Sequence, residues 1–533
     1  VMPQVIQEDE IKEQLDAYER QLRKEWDLPA AASSHFKRPA ELAFTRTERD
    51  KVTILFGGLT RTHDYVLKAA VQGIGYNAQD LPVPDNQALA IGKEFGNRGQ
   101  CNPTYYTVGN LVMYLKALRE AGVEDIESRF VFVTAGACGP CRFGMYEAEY
   151  RKALTDSGFP NFRVMILQQS GGLTEDPTSE TTAEPNGGID FNRTFFATVL
   201  RALIASDIIN TMAQRIRPYE ITPGATDEVL SNAREMLADS FSRGNSVWLT
   251  LRRIRKPFES IEVDYTRLKP KVRITGEFWA QTTEGDGSYK LQSWLESEGA
   301  EVLTEPIGTW IDYILYGAIS RQKERLGIVS GARKRLVTLW LGLRLYKSFY
   351  TFYRSAFGFR TAPLVSQKAL AEAAGDYYDT RIGGGEGHME VGKHILTFKK
   401  REAHMVTSIK PFGCMPSTQS DGVQSKVISD LKESIFLPIE TSGDGEVNVK
   451  SRVQMKLYEA KVRAREELGE ALERHGVTVE EVRSFAAEHP KLLRPTQRLP
   501  DRYVSNAANF VEKVARQMPR HRVRKDAAER SVS

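Results

Sequence analysis

Four cysteines are the residues in this chain best able to do chemistry, and all four fall on turns rich in glycine and proline. Cys138 and Cys141 flank Gly139-Pro140 behind the apolar run at 130–133, in the stretch FVFVTAGACGPCRFGMYEAEY. Cys101 precedes Asn102-Pro103, and Cys414 follows Pro411-Phe412-Gly413. Cysteines that serve only as small core hydrophobes are expected inside apolar strands and helices, and none of these is placed so. Turns of this kind free backbone N–H groups that can hydrogen-bond cluster sulfides. A helix start behind each thiol favours its thiolate. Three metal or redox readings stay open on spacing alone: an iron–sulfur cluster, a four-cysteine zinc site, or a Cys138–Cys141 disulfide. Structural zinc usually pairs one C-x-x-C with a second local pair, whereas these thiols are spread over more than half the chain.

The elements that must position the thiols follow from hydrophobic patterning. A strand at 52–56 turns through Gly57-Gly58 into a helix, a second strand lies at 76–81, and a helix at 107–120 follows Cys101. The apolar strand at 130–133 leads through the cysteine turn to a helix at 145–154 and a strand at 162–167. Alternation of this kind over 51–170 predicts a parallel sheet with helices on both faces. A second unit starts with KVRITGEFWAQ at 271 and mirrors the first, with further strands at 301–303, 405–409 and 434–440. The expected fold is α/β: two Rossmann-like, doubly wound, mainly parallel domains with helical insertions and helical ends.

The boundaries read as an N-terminal helical segment at 1–48, a first Rossmann-like domain at 49–218 and a connector at 219–268. A second α/β domain at 269–404 carries a helical insertion at 310–375. A cysteine-bearing part at 405–474 completes that domain, and 475–533 is a C-terminal helix with a basic tail. Thr478 and Glu481 form a capping box for the last predicted helix.

Composition narrows the function classes. Charged residues make up 27% and the net charge is +4, so nothing demands a nucleic-acid partner. No uninterrupted apolar run reaches the ~18 residues of a membrane span. The most apolar candidate, 336–359, is broken by Arg344, Lys347 and Arg354 and reads as a buried or partner-covered helix. Four cysteines do not make a secreted disulfide scaffold, and a cytoplasmic location is expected. The chain begins with Val, as a processed or partial chain would.

Other candidates are weaker. Gly57-Gly58 lacks the spacing of a phosphate loop, and His63 beside it reads as structural. Gly383 to His388, with Glu390 and His394, reads as a helix start, with a substrate loop or metal site as the alternative. Glu440 and Asp444, at the end of the last strand, are proton-transfer candidates. Ser288, in the loop TEGDGS at 283–288, is a substrate-side candidate.

The blocks GKEFGNRGQCNPTYYTVGNLVMYL, ACGPCRFGMYEAEY, VRITGEFWAQ and IKPFGCMPSTQSDGVQSKV resemble the 2-hydroxyacyl-CoA dehydratase and benzoyl-CoA reductase superfamily. The resemblance runs over about 52–472 and is closest to the dehydratase-like part of acyl-CoA dehydratase activase-related proteins. It implies a [4Fe–4S] cluster, with a double-cubane variant in some relatives, held between two Rossmann-like halves. It implies a partner: an ATP-hydrolysing activator with its own iron–sulfur cluster, which injects low-potential single electrons. ATP would then be used only through that partner, and a homo- or hetero-oligomer is expected. Cys101, Cys141 and Cys414 match the family's three-cysteine pattern, and Cys138 departs from it. Three thiols leave an iron open to a substrate such as an acyl-CoA thioester. Four close the cluster and suit electron relay without substrate. The functional expectation is reduction or dehydration of an acyl-CoA-type or other small substrate. A non-catalytic relay or regulatory module is the second reading, and a zinc-stabilised binding protein the third.

Overall fold

The computed structural model describes residues 8–26, 44–136, 141–168 and 188–519. Residues Val1–Glu41 form a unit of their own, whose described part is the charged helix α1 (Glu8–Glu25). The second unit, Leu42–Ser533, carries two sheets. Its first half runs β1 (Thr53–Phe56), α2 (Arg61–Gln72), β2 (Asn77–Asp80), α3 (Asn86–Phe95), α4 (Asn102–Glu120) and α5 (Ile126–Arg129). It continues with β3 (Phe130–Gly136), α6 (Tyr146–Asp156), β4 (Arg163–Gln168) and α7 (Arg193–Ile216). Helices α8 (Ala225–Ser242) and α9 (Val247–Ser260) lead to the second half. That half begins β5 (Lys271–Gly276), α10 (Phe278–Thr282), α11 (Leu291–Ser297) and β6 (Glu301–Leu303). Four helices follow: α12 (Ile307–Glu324), α13 (Ala332–Ser355), α14 (Gln367–Ala374) and α15 (Gly387–Lys399). Then come β7 (Met405–Pro411), α16 (Met415–Asp430), β8 (Ile435–Thr441) and α17 (Glu446–His475), closed by α18 (Val479–Glu488) and α19 (Asn506–Ala515).

Both sheets are fully parallel, ordered β2-β1-β3-β4 and β6-β5-β7-β8. By chain order each reads second-first-third-fourth, which bears out two doubly wound halves. Successive side chains of a strand face opposite sides of a sheet, so β1 and β3 feed two cores. Leu55 and Phe132 pack with Leu111 of α4 and Tyr150 of α6. Ile54 and Val131 pack with Phe195 of α7 on the other side. Coverage of both faces is what near-continuous apolar strands require. In such sheets the carboxyl ends of the strands at the order reversal, here β1/β3 and β5/β7, form the ligand crevice.

Three departures from the sequence reading matter. The Gly-rich segment at 92–109 holds the end of α3 and the start of α4 at Asn102, directly behind Cys101 and five residues before the helix expected from 107. Its glycines serve a helix crossing, because a Cβ on Gly109 would lie 1.8 Å from Ala88 O and one on Gly92 1.8 Å from Tyr105 O. Helix α9 lies in the stretch read as a connector. Finally, one segment, Arg193–Tyr219, is long and apolar enough to cross a bilayer by length and composition, although 56% of its most apolar window is buried within the fold. Arg201 and Asp207 interrupt it as a run, and Ile204, Ala205, Ile208 and Ile209 place it in the central helical core.

The two halves are clasped by carboxylates set on helix N-termini, where unpaired N–H groups and the helix dipole favour negative charge. Asp207 of α7 accepts from Ile307 N at 2.7 Å and Gly308 N at 2.8 Å, at the start of α12. Glu284 accepts from Arg61 N of α2, and Asp286 from Asn86 N of α3, each at 3.1 Å. The TEGDGS loop is therefore part of the clasp. His63 is buried and lies 3.1 Å from Asp207 through Nε2, with Thr60 Oγ1 2.7 Å from its Nδ1. The capping box of Thr478 and Glu481 is present on α18.

Candidate functional site

Three cysteines stand where their helices begin. Cys101 is the N-cap of α4, Cys414 the N-cap of α16, and Cys141 caps the 3-10 turn that leads into α6. Cys141 and Cys414 follow β3 and β7, the third strands of the two halves, so each comes from its half's order reversal. Cys101 is brought to Cys414 by backbone pairing. Asn102 N donates to Phe412 O at 3.1 Å, and Asn102 Nδ2 donates to Thr441 O at 2.7 Å. A Cβ on Gly413 would lie 3.3 Å from Cys101 Cα. Cys138 lies outside the described residues, as does any bond between it and Cys141. The other three are free thiols.

The thiols share an acid that the sequence reading missed. Glu277 follows β5, the first strand of the second half, and its charge acts on Cys101, Cys141 and Cys414 alike. Glu386, just before α15, acts on Cys141 and Cys414. It accepts from Phe278 N at 2.8 Å. Glu390, on the first turn of α15, accepts from Ser417 Oγ at 2.8 Å and from Ser420 Oγ. Ser417 Oγ in turn lies 3.4 Å from Cys414 Sγ. Cys101 Sγ has the hydroxyls of Thr104 and Tyr146 each at 3.3 Å.

Burial dominates the electrostatics. It pushes Glu277 and Glu390 up to about 7 and raises Glu386 well above the ordinary carboxyl value, with the other carboxyls adding to the shift of Glu386. Burial, then the nearby carboxyls, push Cys141 up to about 12 and raise Cys414 well above the ordinary thiol value. Cys101 is raised by burial as well. The expected thiolate-favouring helix starts are present, but desolvation outweighs them. Deprotonating three such thiols beside these acids requires positive charge brought in from outside.

No family model matches the chain, and no curated protein matches it.

The residues can be tested against a bound metal group on their own terms. Among the described residues no three His, Cys, Asp or Glu side chains stand at metal-ligating distance. The donor set suits a cluster in kind: three soft thiols from three helix starts, aliphatic and aromatic walls, and unpartnered donors nearby. His388 is buried with neither ring nitrogen hydrogen-bonded, and Arg142, next to Cys141, has a buried Nε without a partner. Burial drives His388 down to about 4, so it is neutral at physiological pH. Rings of Phe278, Trp310, Tyr313 and His388 follow one another at 4.9, 5.4 and 5.3 Å. Because Phe278 adjoins Glu277 and His388 lies between Glu386 and Glu390, that arc walls the acids.

The remaining candidates fall elsewhere. Glu440 and Asp444 are exposed, and Asp444 accepts from Ser442 Oγ at 2.7 Å. Ser288 is buried, its hydroxyl donating to Thr283 O at 2.9 Å within its own turn. His394 sits in the core, with Nδ1 2.8 Å from Gln424 Oε1 and its ring stacked on Phe436 at 4.2 Å. Gly383 to His388 does lead into a helix, α15, and that helix carries Glu390 to Ser417, beside Cys414. The order-reversal rule applied to the second half would have pointed to Glu277, which stands where that half's first strand ends.

A pH dependence follows for the metal-free protein. Glu390 has a folded value of about 7 against 4.5 for a free side chain. Between those values the folded state holds a proton that the unfolded chain has lost. This contribution is therefore complete below pH 4.5 and vanishes as pH rises through 7. Glu390→Gln should remove it, so that relative to the unmodified protein the variant gains on the order of 3 kcal/mol between pH 5 and pH 8. Thermal unfolding of both proteins at the two pH values reads this directly. Taking the difference cancels His388 and His394, whose lowered values act in the opposite sense as pH falls.

Proposed function

We propose that the chain is an iron–sulfur protein whose cluster is held by Cys101, Cys141 and Cys414, with Cys138 as the fourth candidate, and that it receives single low-potential electrons from an ATP-hydrolysing activator. The observation that carries this is that three thiols at helix starts, two from the first half and one from the second, all feel the charge of one half-buried acid, Glu277, with Cys101 and Cys414 joined through Asn102 N to Phe412 O. A local zinc knuckle would not need two domains to supply its ligands.

When bound, the cluster would supply one-electron reduction at low potential to an acyl-CoA-type or other small substrate. The chain's own residues do the rest. Thr104 and Tyr146 donate hydroxyl hydrogens to Cys101 once it is a thiolate, and Phe143 N already points to Cys141 Sγ at 3.5 Å. The Ser417 hydroxyl stands between Cys414 Sγ and Glu390, so the proton lost by this thiol has a carboxyl to go to. Cys141 is only partly buried, and exposed apolar side chains of Met145, Phe412 and Met415 stand beside the cysteine-bearing turns, a surface on which an activator could dock.

Anaerobic purification followed by iron, sulfide and zinc analysis and electron paramagnetic resonance tests the proposal. Iron and sulfide in near-equal amounts are expected, lost in Cys101→Ser, Cys141→Ser and Cys414→Ser. Zinc without iron would overturn it. A cluster kept in Cys138→Ser, with a spectrum altered by an added acyl-CoA, supports an open iron. Loss of the cluster in that variant supports four-thiol ligation and a relay.

A further inference from the structure

The helical insertion carries an outward-facing surface that neither sheet needs. Helices α12 and α13 form a hairpin, and the seven residues 325–331 that join them are all exposed, so the turn stands clear of the fold. That turn is apolar at its tip, with Ile328 81% exposed and Leu326 and Val329 exposed beside it. Helix α13 continues the theme. Tyr346, Tyr350 and Tyr353 are buried on its inner face, while Val337, Trp340, Leu341, Leu345 and Phe352 are exposed on the opposite one. A helix apolar on all sides normally has its whole circumference covered; here half is left to solvent.

Charge says what covers it. From Arg321 to Arg344 there are seven lysines and arginines and a single acid, Glu324. Among the described residues none of the seven is in an ion pair, and Arg344 lies over the Trp340 ring at 5.1 Å from its centroid. A second copy of this chain would bring the same positive charge to the contact, and like charges facing across an interface oppose it. The surface instead combines an apolar ridge, a tryptophan and flanking basic residues without acids, as in helices that lie in the headgroup region of a bilayer.

The geometry points to an anionic lipid surface as the occupant: we infer that the α12–α13 hairpin docks the protein peripherally on anionic membranes, with Ile328, Trp340 and Leu345 entering the headgroup–acyl boundary. Arg333, Lys334 and Arg335 at the start of α13 meet the lipid phosphates. The hairpin spans nothing; its apolar face is only one helix deep. This inference stands independently of any cluster at the thiols.

Co-sedimentation of the full chain with vesicles tests it. On phosphatidylcholine containing about one-third phosphatidylglycerol, binding is expected at least about tenfold tighter than on phosphatidylcholine alone, and it should weaken with salt. Replacing Arg333, Lys334 and Arg335 together by Gln should reduce affinity on the order of a hundredfold, since each basic residue near such a surface contributes about fivefold. The pair Ile328→Ser and Leu345→Ser should reduce it by at least about tenfold. All five side chains are exposed, so these variants are expected to fold, which circular dichroism checks. Failure of the full chain to bind anionic vesicles would overturn the inference. So would binding indifferent to both sets of variants, or a concentration-dependent dimer in sedimentation velocity that Leu345→Ser dissolves.

Discussion

Gly109→Ala should destabilise the protein by more than about 3 kcal/mol and deprive the thiols of their arrangement at the same time. In an open helix the same change gains roughly 1 kcal/mol from helix propensity. Here the new methyl would stand 1.8 Å from Ala88 O and 2.5 Å from Gly92 N. Those are backbone atoms, so no rotamer change relieves the clash, and α3 and α4 must move apart. Gly92 makes the reciprocal approach to Tyr105 O. Because Cys101 caps α4 and Asn102 fixes that cap to Phe412 and Thr441, separation of the helices also withdraws a thiol from the second half. Gly422→Ala is the control: it lies in α16 with nothing within 4 Å of its added methyl. It should leave stability unchanged or slightly raised. Chemical denaturation of the two variants, with iron content measured after anaerobic loading, gives both readouts.

Asp207→Ala is the second large effect, with an expected loss of about 3 to 5 kcal/mol. The carboxylate is buried and serves three donors or partners: Ile307 N, Gly308 N and His63 Nε2. Alanine leaves two helix-terminal N–H groups and an imidazole buried without an acceptor. Asp207→Asn keeps one acceptor oxygen but turns its amide hydrogens toward donors, so it should recover less than half of the loss. His63→Ala alone should be milder, and the double variant less damaging than the sum, because the two side chains share one interaction. Denaturant midpoints for the four proteins complete the cycle.

The strand–turn–helix steps that carry Cys141 and Cys414 could be read from residue order, since apolar β-branched runs ending in glycine and followed by amphipathic helices leave few alternatives. That helices follow the thiols was also legible, although the one behind Cys101 was placed five residues too late. What escaped was anything set by approach in space. Gly92 and Gly109 look like loop glycines because sequence does not distinguish a flexible backbone from one pressed against a neighbouring helix. Glu277 has no spacing signature; only its place at the end of β5, at the second half's order reversal, could have flagged it, and its influence on thiols of other segments needs the fold. The segment at 336–359 was rightly read as needing cover, but only its tyrosine face finds cover within the chain. Glu284 and Asp286 looked like a substrate loop because the helix ends they cap belong to the other half.

Those capping acids also decide the order in which the centre can be assembled. The first half alone supplies Cys101 and Cys141, and the second alone supplies Cys414, Glu277, Glu386 and Glu390. Thr60 and Asp85 cap α2 and α3 within the first half, but Arg61 N and Asn86 N find their acceptors only across the join, as do Ile307 N and Gly308 N of α12. A nascent first half would therefore emerge with two of the three described thiols and with Arg61 N and Asn86 N still hydrated. On the proposed reading, a cluster that needs Cys414 as well would be completed only after the halves close, from the side where Cys141 remains partly open.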